Sequence, residues 1–243
     1  MKRVILIGGG LIGSSIYNFL TNHSNTEFDV ILFEKKRLPK IEKKQHIICD
    51  ISNKNSFKDK LNFVHKIHGK IDAVVNCSFP KIAKKNTNPL NLDFKIFNTN
   101  YLVHLNSYLN VIVESINYFK KNKTTGSIVS FASIYGSSTP NFSIYDNKIL
   151  TSLEYNFIKN NIIHANKYYS KFIRGSGIRL NCISPGGIFD NHGKKFVNNY
   201  SKNTNNNSML DKEDLNTIVE YLISDGSKKI TGQNIVVDDG FTL

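Results

Sequence analysis

The sequence predicts an α/β fold: a doubly wound, parallel, seven-stranded sheet with helices on both faces. Three observations lead there. Short apolar runs alternate with amphipathic stretches of helical length in a repeating β-α order along all 243 residues. The runs are rich in Val, Ile and Leu without polar alternation, as strands covered on both faces are. The first run ends in Gly8-Gly9-Gly10 and passes directly into a helical pattern. No internal repeat and no linker interrupts this order, so residues 1–243 are expected to form a single domain.

Each element follows in turn. Val4 to Gly8 is the first strand, and apolar spacing makes residues 12–21 a helix. Asp29 to Phe33 and His46 to Cys49 are the second and third strands, followed by a helix over 55–67. Ala73 to Asn76 is the fourth strand, with a long helix over 92–121 behind it. Ser127 to Phe131 is the fifth, before a helix over 153–173, and Arg179 to Ile183 is the sixth. A helix over 212–224, with Asp211 as N-cap, precedes the last strand, Ile235 to Val237. Residues 189–210 are rich in Asn and Lys and read as a mobile lid after the sixth strand, with Asn203 to Asn207 a compositional bias or mobile loop. A doubly wound sheet binds its ligands at the carboxyl ends of its strands, so the loops there carry the function.

Composition narrows the class. Lys and Arg total 32 against 19 Asp and Glu, a formal charge of +13. The lysines come as scattered pairs, Lys43-Lys44 and Lys84-Lys85 among them, and form no basic stripe with interleaved aromatics. No nucleic-acid partner is expected, whereas anionic small molecules are attracted. Cys49, Cys77 and Cys182 are odd in number, form no CxxC pair, and read as free thiols in a reducing compartment without a metal. Met1-Lys2-Arg3 before Val4 to Ile7 has the order of a secretion signal, but the glycines break it, and no apolar stretch approaches the ~18 residues of a membrane span. A cytoplasmic protein without a membrane partner is expected.

Gly8, Gly10 and Gly13 satisfy GxGxxG between a strand and a helix, with Leu11 and Ile12 opening that helix. The first glycine permits the turn, the second lets backbone approach a pyrophosphate, and the third lets helix and strand pack. Ser14 and Ser15 can add hydroxyl donors. Glu34 ends the second strand, where a carboxylate accepts both ribose hydroxyls of NAD and repels the 2′-phosphate of NADP. Lys35, Lys36 and Arg37 follow it and leave NADP open. Asp50 and Ile51, after the third strand, are placed to meet the adenine amine and ring.

Tyr155 and Lys159 form a YxxxK that puts a phenol and an ammonium one turn apart on one helix face. Ser133, just past the fifth strand, brings a hydroxyl to the same crevice. A cation beside the phenol favours the phenolate, lowering the Tyr155 pKa from about 10 toward working pH.

These residues resemble the short-chain dehydrogenase/reductase family over essentially the whole chain: Gly8 to Gly13, Asp50-Ile51, Val75-Asn76, Ser133 to Gly136, Tyr155 to Lys159, and Asn181 to Gly186. The resemblance implies a Rossmann-type fold and a catalytic tetrad of Asn, Ser, Tyr and Lys. It makes Tyr155 the general acid/base, Ser133 the group that orients and polarises the carbonyl, and Lys159 the group that lowers the Tyr pKa and holds the nicotinamide ribose. Asn100, with Asn98 as rival, would anchor a water in the proton relay. Asn76, Cys77, Pro185, Gly186 and Ile188 fall on cofactor-contacting positions. The chain departs from the family in its shorter glycine turn with Ile7 in place of Thr, in Asn76-Cys77-Ser78-Phe79 where NNAG is usual, and in Asp190 near the usual carboxamide Thr. The resemblance also implies a homodimer or homotetramer packed through the helices over 92–121 and 153–173.

A narrower resemblance, carried by Ser133 to Gly136, Ser184 to Asn191 and Thr231 to Phe241, is to oxidoreductases of flagellin-modification and legionaminic-acid-type sugar pathways. It implies a sugar or sugar-phosphate substrate, polar or phosphorylated. The polar loop bearing Asn141, Ser143, Tyr145 and Asn147 suits a hydroxylated substrate better than an acyl chain. His192 is a candidate acid, and Lys194 and Lys195 are candidates to meet a phosphate. The expected activity is NAD(P)-dependent hydride transfer at a carbinol or ketone. The alternatives are a 3-oxoacyl-type reductase and a non-catalytic, cofactor-sensing interaction protein.

Overall fold

The computed structural model describes residues 1–22, 28–38, 45–79, 88–145 and 151–243; Lys43-Lys44, Lys84-Lys85 and Asn147 lie outside them. The elements run β1 Lys2–Ile7, α1 Leu11–Asn22, β2 Phe28–Glu34, β3 His46–Ile48, α2 Lys54–His68, β4 Ala73–Asn76, α3 Phe94–Lys121, β5 Ser127–Phe131, α4 Leu153–Phe172, β6 Arg179–Pro185, α5 Lys194–Ser201, α6 Asn216–Ile223 and β7 Asn234–Val237. All seven strands are parallel, in the order β3-β2-β1-β4-β5-β6-β7. The order reverses between β1 and β4, which opens a crevice at their carboxyl ends.

Period-two alternation sorts the strand residues between two cores. Ile5, Ile7, Ile31, Phe33, Val74, Ile128 and Leu180 meet Phe57 and Leu61 of α2 and Val111, Ile112 and Phe119 of α3 on one face. Val4, Leu6, Val30, Leu32, Val75, Val129 and Ile183 meet Ile16 and Leu20 of α1 and Val219 and Leu222 of α6 on the other. Both faces of the sheet are therefore dry, which is why its strands carry no polar alternation.

Helix starts are set by local caps. Asn53 Oδ1 accepts from the Ser56 N–H at 3.0 Å, Asp93 Oδ1 from those of Lys95 and Ile96 at 2.9 and 3.1 Å, and Ser152 Oγ from that of Tyr155 at 3.4 Å. The helix expected over 212–224 is divided: a 3-10 turn over Lys212–Leu215 passes into α6, and Asp211 caps the turn while its N–H donates to Asp214 Oδ2 at 2.8 Å. β6 runs on to Pro185 because Gly186 N–H donates to Val237 O at 2.8 Å and keeps the chain paired with β7.

The segment expected as a lid contains α5, and backbone bonds tie it down. Phe189 N–H donates to Leu210 O at 2.8 Å, Leu210 N–H to Gly187 O at 3.0 Å, and Asn205 N–H to Asp239 O at 2.8 Å. Within the Asn-rich run, Asn206 donates twice to the Asp239 carboxylate and Asn207 adopts φ of 52°, a left-handed conformation that Asn tolerates. That run is a specific turn pinned to the C-terminal segment, so composition alone does not account for it. Among the described residues no helix is long and apolar enough to cross a membrane. The three cysteines are unpaired, with Cys49 and Cys182 buried.

Candidate active site

The glycine turn lies at the carboxyl end of β1. Gly8 adopts φ of 90° and passes so close to β4's end that a Cβ on it would sit 2.8 Å from the Ser78 backbone. A Cβ on Gly13 would fall 1.8 Å from Gly8 O, so α1 packs on the turn only because residue 13 is glycine. A Cβ on Gly10 would meet no protein atom within 4 Å. Gly10 therefore faces open space at the N-terminus of α1, beside exposed Leu11, where amide groups are available to an anion. The two serines do not serve this turn: Ser14 Oγ donates back to Leu11 O at 3.1 Å, and Ser15 is buried against Asn216 at 3.2 Å.

Glu34 reaches this turn from β2. Its Oε2 accepts from Gly9 N–H at 2.8 Å and its Oε1 from Lys35 N–H at 2.7 Å, which fixes an acceptor carboxylate beside the glycines. Lys35 Nζ turns away to Asp50 Oδ2 at 2.8 Å. Asp50 also accepts from the N–H and hydroxyl of Ser52 at 3.0 and 2.6 Å. Burial alone would raise the Asp50 pKa, but the bonds from Lys35 and Ser52 hold it below the usual carboxylate value. Ile51 is packed into the core, and its C=O accepts from Asn110. Asp50 thus spends both oxygens on protein partners, which the sequence reading of an adenine acceptor did not anticipate.

A cavity of about 460 Å³ opens over the ends of β4, β5 and β6, and Ile12, Cys77, Ser133, Tyr155, Lys159, Pro185, Gly186, Ile188 and His192 all line it. Ser133 stands just past β5 and caps a 3-10 turn over Ile134–Gly136. That turn presses on α4: a Cβ on Gly136 would lie 2.6 Å from Lys159 C, and Asn160 Nδ2 donates to Gly136 O at 2.8 Å. The contact aligns the Ser133 hydroxyl with the α4 face that carries Tyr155 and Lys159.

Burial raises the Tyr155 pKa, a hydrogen bond with the Ser133 hydroxyl opposes that rise, and the neighbouring Tyr145 adds to it. Lys159 is 5% exposed, and Nζ donates to Phe131 O at 3.1 Å. The ammonium also lies 5.4 to 5.7 Å from the ring centroids of Phe79, Tyr155 and Tyr108. Burial pushes the Lys159 pKa down to about 8. In the chain by itself the phenol is therefore shifted upward and not toward working pH, because desolvation outweighs the Ser133 hydrogen bond.

Asn100 is buried on α3, and its Nδ2 donates to Glu154 Oε1 at 3.2 Å; Asn98 is exposed. Neither lines the cavity. Asn76 is fully buried, and its Oδ1 accepts from the N–H and hydroxyl of Ser78 at 3.1 and 2.6 Å, while its Nδ2 has no partner. Ile188 pairs with Leu210 through the amides of its neighbours, so its own N–H takes no part in that bridge.

Of the polar loop, Tyr145 alone among the described residues named from sequence reaches the cavity. Asn141 instead accepts from the N–H and hydroxyl of Ser143 at 3.1 and 2.6 Å, so both are used within the loop. Lys194 and Lys195 open α5 as exposed residues outside the cavity wall. Sequence reasoning missed Tyr135, Phe196, Tyr200 and Tyr108. Phe196 and Tyr200 stand four apart on α5, a spacing that marks one helix face, but the segment did not read as helical. The single Tyr108 hydroxyl proton is shared between Ser78 O at 2.8 Å and Phe131 O at 3.1 Å, which joins the ends of β4 and β5 behind Lys159.

Comparison with known proteins agrees with this fold. Residues 33–242 match a family profile described as Enoyl-(Acyl carrier protein) reductase. Post-translational flagellin modification protein A of Campylobacter coli is 34% identical over 201 residues, covering 80% of this chain and 76% of that protein. A 3-oxoacyl-[acyl-carrier-protein] reductase of Thermotoga maritima is 24% identical over 224 residues, covering 90% of this chain and 85% of that protein. The crystal structure of a short chain dehydrogenase from Leptospira borgpetersenii serovar Hardjo-bovis, with bound NAD+, superposes with a TM-score of 0.86 at 31% identity, covering 100% of this chain and 93% of that one. The profile spans most of the chain, and the flagellin modification protein and the dehydrogenase structure each exceed 30% identity over at least 80% of it: the chain belongs to the short-chain dehydrogenase/reductase family of NAD(P)-dependent oxidoreductases.

Proposed function

We propose that the protein uses NAD to move a hydride between the cofactor and a carbinol or carbonyl of a sugar or sugar-phosphate precursor, with Tyr155 as general acid/base. The observation that carries this reading is the convergence of Ser133, Tyr155 and Lys159 on a single cavity that also reaches α1 at Ile12. The residues present fit a dinucleotide. Gly10 leaves the space that a phosphate needs, Glu34 holds acceptor oxygens beside it, and Asn76 keeps a buried, unpartnered Nδ2 at the end of β4. The commitment of Lys35 to Asp50 favours NAD over NADP, since that cation is drawn away from a 2′-phosphate.

Gly8 to Gly13 would hold the pyrophosphate, Glu34 the adenosine ribose, Lys159 the nicotinamide ribose, and the Ile188 amide the carboxamide. A nicotinamide held there would supply the hydride donor or acceptor for the carbinol carbon. The chain's residues manage the accompanying proton. Tyr155 Oη takes it from the substrate hydroxyl in oxidation and returns it in reduction. Ser133 Oγ donates to the same oxygen and fixes its position. Lys159, charged below about pH 8, makes the phenolate less costly once it forms. Residues 189–210, with α5, cover the substrate.

The sugar class is supported by the 34% identity to a flagellin modification protein and by a cavity rim rich in phenols. The three free thiols support a reducing compartment. Exposed Phe94, Leu102, Phe157 and Phe172 on α3 and α4 support a homo-oligomer packed through these helices. A second reading, reduction of a 3-oxoacyl thioester, is favoured by the Thermotoga maritima relative. Absorbance of reduced nicotinamide, followed with each cofactor against amino sugars, sugar phosphates and acyl thioesters, separates the two. Turnover of a sugar with NAD(H) is expected, and turnover of the thioester with NADPH alone would establish the second reading.

A further inference from the structure

We propose that the hydrogen-bonded pair Tyr135–Tyr145 is a specificity-determining donor that reads an oxygen on the carbon beside the reacting one, so that the substrate presents a vicinal hydroxy-carbonyl or diol. The proposal rests on the reading of Tyr155 given above. Tyr145 Oη donates to Tyr135 Oη at 2.9 Å. Two phenols hold two O–H protons, and the bond between them uses one; whichever ring donates, one proton is left for another acceptor. Among the described residues no other hydrogen bond reaches either hydroxyl. Both rings line the cavity with Ser133 and Tyr155, and Tyr135 follows Ser133 by two residues on the 3-10 turn packed against α4. Burial raises the pKa of both phenols, so they remain neutral donors across the working range.

Two further groups on the same wall are arranged alike. Tyr200 Oη accepts from Gly187 N–H, and His192 Nδ1 accepts from Asp190 N–H at 3.1 Å, so each keeps its own proton for the cavity. Phe196 stacks on His192 at 5.2 Å and 26° and gives this wall an apolar surface. Among the described lining residues Lys159 is the only Lys or Arg and none is Asp or Glu, and Lys159 is turned to Phe131 O. A wall of neutral donors on aromatic rings recognises several neutral acceptor oxygens.

The test compares 2-hydroxycyclohexanone with cyclohexanone on the NADH-loaded protein, by calorimetric binding and by turnover, in the wild type, Tyr135→Phe, Tyr145→Phe and the double variant. The wild type is expected to favour the hydroxyketone by about tenfold, the worth of one good hydrogen bond. Each single variant is expected to narrow that preference and the double variant to abolish it, with NADH affinity and thermal midpoint unchanged. Should the double variant fail to fold, the two singles decide. Equal binding of the probes by the wild type, no binding of the hydroxyketone, or a preference that survives both substitutions overturns the proposal. Preferential binding that depends on the pair but yields no hydride transfer upholds it and overturns the redox reading of Tyr155 instead.

Discussion

The Asn100 amide donates to Glu154 Oε1 at 3.2 Å, which ties α3 to a fully buried carboxylate one residue before Tyr155. The geometry makes Asn100 a positioning residue for the start of α4. Asn100→Ala is expected to lower stability by about 1–3 kcal/mol, the cost of removing one partner of a buried charged group. Asn100→Asp, which sets two carboxylates together, is expected to cost more. Urea midpoints check the order; an Asp variant as stable as wild type would contradict it.

Gly10 and Gly13 separate binding from folding. Gly13→Ala forces a Cβ to within 1.8 Å of Gly8 O and is expected to unfold the β1-α1 turn. Gly10→Ala meets no protein atom within 4 Å and is expected to fold with stability changed by less than about 1 kcal/mol, yet to bind NADH at least about tenfold more weakly. Thermal midpoints with NADH titrations distinguish the two, and unimpaired NADH binding by Gly10→Ala would remove this turn from the cofactor site.

Glu34 sets the cofactor preference. Without its carboxylate the ribose hydroxyls lose a charged acceptor and a 2′-phosphate loses its repulsion. Glu34→Ala is expected to weaken NADH binding by about ten- to a hundredfold while NADPH binding holds or improves. Fluorescence titration of both cofactors measures the ratio.

Lys159 gives stability a pH signature. Its pKa falls from 10.5 unfolded to about 8 folded, so the charged form is the costly one. The penalty is full below about 8 and fades as pH rises toward 10.5, which adds about 3 kcal/mol of stability across that window. Lys159→Met is expected to raise the urea midpoint at neutral pH, to flatten this rise and to abolish turnover. Burial raises the pKa of Cys49, Cys77 and Cys182, which pulls stability the other way above about pH 9, so the check is the difference between wild type and Lys159→Met: a difference that does not change in that window would contradict the buried setting of this lysine.

Much of this was legible in the sequence because the signals were local. The glycine turn between strand and helix, the one-turn spacing of Tyr155 and Lys159, and Ser133 at the end of an apolar run each depend on a few adjacent residues. α5 was not legible, because Phe196 and Tyr200 are held by partners distant in sequence: Tyr145 at 5.5 Å from Phe196, and Phe241 stacked on Tyr200 at 4.3 Å. The destination of Ser15, at Asn216, was hidden for the same reason, whereas Asn141 and Asp50 accept from Ser143 and Ser52 only two residues on. A short polar side chain looks the same in sequence whether it binds a ligand or caps its own loop. The upward shift of Tyr155 was hidden as well, since desolvation depends on how the whole cavity closes.

The most direct test of the central claim is turnover by Tyr155→Phe with the substrate found by the cofactor-coupled screen, alongside its NADH affinity. Loss of nearly all turnover with NADH affinity and folding retained is the expected result, because the substitution removes only the proton-bearing oxygen. Turnover close to wild type would contradict the assignment and move the proton to another group on the cavity wall.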